Sequence, residues 1–114
     1  AAFAAIKRVW EEQGYLLDTH TAVAWAVYEQ FRAGADNGKK TVVLATASPY
    51  KFAASVLTAL GENPAGGFAA LDELHARTGV PVPKNLAAIR DLPVLHTDAV
   101  EKGDILAYVK EAIR

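Results

Sequence analysis

Two short polar stretches carry the residue types that bind or position an anion. The first is Asp18-Thr19-His20-Thr21, and the second is Thr46-Ala47-Ser48-Pro49-Tyr50-Lys51. Each combines hydroxyls with a basic side chain, and each stands where an apolar helical pattern opens. A helix start leaves backbone N–H groups without intrahelical partners, and these, with the macrodipole, favour a phosphate or carboxylate. Lys51 sharpens the second stretch. It takes the third helical position, where the dipole favours an acid and a capping box holds Glu or Gln. An exposed cation there gives up on the order of a few tenths of a kcal/mol unless an anion sits nearby. Read alone, both stretches also suit plain capping sequences, which are common at helix starts.

Other chemistry is thinner. His20, His75 and His96 are scattered, and no pair has the spacing of a metal site, so no metal is expected. There is no Gly-rich phosphate loop, and no G-x-S-x-G elbow surrounds Ser48. A nucleophilic role for Lys51 needs apolar burial to lower its pKa, and its neighbours in sequence give no sign of that.

The elements that must position these residues follow from periodicity. A first helix is expected from about Ala2 to Gln13, with Phe3, Ile6, Val9 and Trp10 on one face and Gly14 ending it. Asp18 or Thr19 caps a second helix whose inner face carries Val23, Ala26, Val27 and Phe31. Asn37-Gly38 marks a turn. Thr41 to Thr46 contains the continuous apolar run Val42 to Ala45, the pattern of a strand covered on both faces. Ser48 then caps, and Pro49 opens, a helix bearing Phe52, Ala53, Val56, Leu57 and Leu60. A further helix spans about Phe68 to Thr78, with Phe68, Leu71, Leu74 and His75 facing inward and Gly79 at its end. Val80 to Pro83 must be extended, because residues before proline leave the helical region. Asn85 caps a short turn, a second short strand is expected at about 94–96, and Asp104 caps a last helix with Ile105, Val109 and Ile113 in a stripe.

At 114 residues the chain is one domain in size and can bury a core. Twelve basic and thirteen acidic residues argue against a polyanion partner, and no apolar run is long enough to span a membrane. The absence of cysteine excludes disulfides and suits a cytoplasmic location. The chain has no methionine and opens inside a helical pattern, so it reads as a piece of a longer protein. One strand cannot satisfy its own ladder groups, so an edge open to another copy is a further expectation.

Asp18-Thr19-His20-Thr21-Ala22-Val23, followed by Leu44-Ala45-Thr46-Ala47-Ser48-Pro49-Tyr50-Lys51-Phe52, resembles the carboxyl-terminal part of the threonine synthases, in the branch found in bacteria and fungi. Gly14 to Leu17, Thr78 to Pro83 and Pro93 to His96 resemble the same family in the same order. Thr19 stands where many members have proline. The resemblance implies an α/β fold: the C-terminal part of a tryptophan synthase β-like enzyme, mostly helical, with one buried parallel strand at about 41–46. It implies a pyridoxal 5′-phosphate-dependent carbon–oxygen lyase acting on phosphate, which converts O-phospho-L-homoserine and water to L-threonine and phosphate. Thr46 matches the residue facing the cofactor's pyridine nitrogen. Ser48 is the other cofactor-binding candidate, and His20, Thr21 and Lys51 are substrate-binding candidates. The family's Schiff-base lysine and phosphate-binding loop match nothing in this segment, so no catalytic residue is expected here and the segment alone is expected to be inactive. The reading from another class is a non-catalytic α/β binding or interaction module.

Overall fold

The computed structural model describes residues 1–35 and 38–113. Six α-helices follow one another: α1 (Ala2–Gln13), α2 (Thr19–Ala35), α3 (Ala53–Ala59), α4 (Gly67–Thr78), α5 (Lys84–Ala88) and α6 (Ile105–Ala112). Short 3-10 turns at Pro49–Phe52, Ile89–Asp91 and Lys102–Asp104 lead into α3, follow α5 and precede α6. Among the described residues there is no strand. The chain is therefore helical in this structure, and the expected α/β class, with a buried strand at 41–46 and a second at 94–96, is overturned.

The physical reason is pairing. An apolar run can only become a strand when a neighbour takes its N–H and C=O groups, and none of the described residues does so. Val42 and Leu44 are instead 82% and 76% exposed, and Val94 and Leu95 are 79% and 78% exposed. The strand edge expected to recruit another copy thus loses its strand. The turn dipeptide at Asn37 lies outside the described residues.

The core is built by α1, α2, α3 and α4. Helix α1 packs on α2 and α3, and α3 packs on α4. Ile6, Val9, Leu16, Leu17, Val56, Leu57, Leu60 and Leu74 fill the centre. Alanines 5, 22, 26, 53, 59 and 70 are buried among them, and such small side chains allow helix axes to approach. Gly14 and Gly79 end α1 and α4 in the left-handed conformation, at φ 66° and 70°, which glycine adopts without a Cβ penalty.

Several faces differ from the periodic reading. On α2 the buried residues are Thr21, Ala22 and Ala26, while Val23, Val27 and Phe31 are exposed. Asp18 and Thr21 fix that phase, because they sit three residues apart, are both buried and bond to each other. Phe3, Phe52, Phe68 and His75 also turn outward, and Ala5 and Ala70 take the buried positions on α1 and α4. The α6 stripe of Ile105, Val109 and Ile113 is exposed at each position. The whole is elongated, with a Cα radius of gyration of 18.7 Å against roughly 13 Å for a compact 100-residue domain.

Candidate functional site

The start of α2 is organised by Asp18. Its carboxylate is 2% exposed and accepts three hydrogen bonds. The His20 and Thr21 backbone N–H groups donate to Oδ1 at 2.8 and 3.1 Å, and the Thr21 hydroxyl donates to Oδ2. The Asp18 carbonyl accepts from the Ala22 N–H at 2.9 Å, so Asp18 is the N-cap in both side chain and backbone. The His20 imidazole reaches the same carboxylate, with Nδ1 3.5 Å from Oδ1, while most of its side chain faces solvent. Burial pushes the Asp18 carboxyl up. The Thr21 hydroxyl, the Thr21 and His20 amides and the adjacent imidazole together outweigh that and hold it below the usual carboxylate range.

The second start is a capped 3-10 turn. Ser48 Oγ accepts from the Tyr50 N–H at 3.2 Å, and the Ser48 carbonyl accepts from the Lys51 N–H at 3.1 Å. Pro49 follows the cap, as its spacing predicts. Tyr50 is buried and its hydroxyl donates to the Val80 carbonyl, which ties this turn to the segment after α4. Burial raises the Tyr50 pKa above its ordinary value.

One contact joins the two starts. The His20 ring lies against Phe52, with centroids 5.2 Å apart and planes tilted by 56°. His20 is thus held by Asp18 on one side and by the end of the second turn on the other. The remaining candidates are spread out. Thr46 is exposed at the end of the extended segment, and its hydroxyl makes no hydrogen bond among the described residues. Ser48 is half-buried in its cap. Lys51 is exposed and lines an open hollow of about 300 Å³ together with Phe52, Ala54 and Gly67. Thr21 lines a different cavity, of about 220 Å³, between α1, α2 and Val43 and Ala45. The expected picture of Thr46 and Ser48 closing a buried strand is therefore corrected: they follow an exposed extended segment.

Two partners escaped the sequence reading. The periodicity places Phe52 in the apolar pattern of its helix, yet it is the surface against which His20 rests. Asp18 was read as a cap only. The Asp18/Thr21 spacing of three, which brings a side chain back to the cap, was the available signal for its larger role.

A family model described as threonine synthase, C-terminal, matches residues 21–102, more than half of the chain. A comparison with curated proteins finds no match.

Proposed function

The chain belongs to the threonine synthase C-terminal family, and on that premise we propose that its two helix starts form one wall of a site for pyridoxal 5′-phosphate and O-phospho-L-homoserine. In this reading the Thr46 hydroxyl faces the pyridine nitrogen and Ser48 lies beside it. His20 and Lys51 meet the anionic groups of the substrate, and Thr21 stands behind His20. The observation that carries the reading is the His20–Phe52 contact, which joins residues 18–21 and 49–52 into one surface.

The residues present fit one edge of the cofactor. Thr46 offers a neutral, exposed hydroxyl with no hydrogen-bond partner among the described residues, and it can share a hydrogen bond with a ring nitrogen without forcing a proton onto it. All seven lysines, 7, 39, 40, 51, 84, 102 and 110, are exposed. None is withdrawn from water into a dry pocket of the kind that suits a nucleophilic lysine. In this reading none of these lysines is the covalent anchor, and this chain alone does not turn the substrate over. When bound, the cofactor supplies the electron sink for carbanion chemistry at the amino acid.

What this chain's own groups do is electrostatic. An imidazole 3.5 Å from a buried carboxylate is held in orientation by it. Lys51 adds a cation at a helix start whose dipole favours the same anion. The Thr21 hydroxyl donates its hydrogen bond to Asp18, so toward a ligand it can only accept.

The test is Thr46→Val in an intact threonine synthase carrying this segment. We expect weaker cofactor binding and lower turnover of O-phospho-L-homoserine. Folding stability should move by only about 0.5 kcal/mol, as for exposed substitutions generally. Unchanged cofactor affinity and kinetics would remove Thr46 from the site.

A further inference from the structure

We infer that Tyr50 is a positioning residue for the turn that carries Ser48, Lys51 and Phe52, and that it acts through a clasp in which its hydroxyl and the His75 imidazole both bind the Val80 carbonyl. The inference rests on the proposed wall at residues 18–21 and 46–52, and it adds what holds the second half of that wall in place.

The turn does not place itself. The Tyr50 N–H donates to Ser48 Oγ at 3.2 Å and the Lys51 N–H to the Ser48 carbonyl at 3.1 Å, and both bonds are internal to it. They set its curl and leave its position on the core open. Lys51 and Phe52 are exposed and Ser48 is half-buried, whereas Tyr50 is 2% exposed, in the cluster that holds Val56, Leu57 and Leu74. Burial of the ring is non-directional. The hydroxyl supplies the direction, because a buried tyrosine O–H must find an acceptor at a defined place.

That acceptor is itself fixed. Gly79 ends α4 in the left-handed conformation, with its N–H on the His75 carbonyl at 2.8 Å. The Val80 N–H donates to Thr78 Oγ1 at 3.3 Å, and Thr78 Oγ1 donates to the Leu74 carbonyl at 2.7 Å. His75 Nδ1 lies 2.8 Å from the Val80 carbonyl. A carbonyl oxygen only accepts, so Nδ1 carries the proton, and the two lone pairs of Val80 serve His75 and Tyr50. The end of α4 is thus the fixed point from which the turn is held. A turn that slips takes Lys51 with it, and the Phe52 surface beneath His20. Misplacement of binding groups by about 1 Å is costly.

The experiment is Tyr50→Phe in an intact threonine synthase carrying this segment, with steady-state kinetics on O-phospho-L-homoserine. The variant keeps the buried ring, and His75 still satisfies the Val80 carbonyl, so the change reads position rather than an orphaned group. The expected result is a KM raised about fivefold, the worth of one hydrogen bond, with kcat within about twofold of the parent. In the chain itself, proton–proton Overhauser cross-peaks between His20 and Phe52 should weaken while Ile6 and Val9 signals stay in place. His75→Ala, at an exposed position, should raise KM by about twofold. An unchanged KM in either variant or undiminished cross-peaks overturns the clasp. So does a lower kcat at unchanged KM, which is the mark of a smaller folded fraction. Thr46→Val separates the two failures. If it impairs turnover while Tyr50→Phe leaves KM unchanged, the clasp alone is wrong; if neither variant changes the kinetics, the wall is wrong as well.

Discussion

Helices α1 and α6 are both amphipathic, and the structure treats them in opposite ways. In α1, Ala5, Ile6 and Val9 are buried against α2 and α3. In α6, Ile105, Val109 and Ile113 repeat at a spacing of four, and all are exposed. The contrast extends to the regions around them. The residues packed on one core lie between α1 and Leu86, and Arg90 still ties back by donating to Asp72 at 2.9 Å and stacking on Phe68. Every described residue from Ala87 onward is exposed. A periodic apolar face states what a helix needs, and whether it is met depends on what lies beside it. Of the candidate residues, His20, Thr21, Ser48 and Lys51 sit on the packed region, where Asp18 and Tyr50 are anchored, while Thr46 ends the exposed extended segment.

Substitutions can break this contrast, and the largest effect belongs to the core. Leu74→Ala, at a position with no exposure, should cost about 2–5 kcal/mol in denaturant unfolding, the range for large-to-small core changes. A cost below about 1 kcal/mol would mean that α4 is not packed as described.

Asp18→Ala comes next. It removes an N-cap worth about 1 kcal/mol and leaves the buried Thr21 hydroxyl unpaired, at about another 1–3 kcal/mol. Its pH dependence has a definite sign. The folded carboxyl sits below its ordinary value, so its contribution is complete above about pH 4. That contribution is withdrawn as pH falls through the lower folded value. Unfolding measured across this acid range should show a slope in the parent chain that is reduced in Asp18→Ala, and parallel curves would deny Asp18 its role.

Smallest is Val109→Ala on α6. With Val109 45% exposed, the change should alter stability by about 0.5 kcal/mol or less. A loss above about 1.5 kcal/mol would show that the α6 face is covered in solution and would erase the contrast.

Local signals were legible in the sequence wherever they are satisfied within a few residues. Gly14 and Gly79 end their helices, Ser48-Pro49 opens the second turn, and the cap at Asp18 lies where the polar cluster placed it. Requirements met over longer distances were not legible. Val42 to Ala45 read as a buried strand because apolarity reports a demand for cover, while pairing needs a second segment that the run itself does not encode. The inner face of α2 was misjudged because bulk favoured Val23, Val27 and Phe31. The buried Asp18–Thr21 bond instead rotates Ala22 and Ala26 inward. At the candidate site, the residue types at positions 18–21 and 46–51 were evident. Their junction through Phe52 depends on how α2 and the 49–52 turn meet, which no spacing reveals.

The account turns on that junction, and proton–proton Overhauser contacts between the His20 imidazole and the Phe52 ring test it most directly. With the ring centroids 5.2 Å apart, the chain should give clear cross-peaks between the two rings at neutral pH. A folded chain with intact core signals and no His20–Phe52 cross-peak would contradict it, because the two helix starts would then be separate caps rather than one wall.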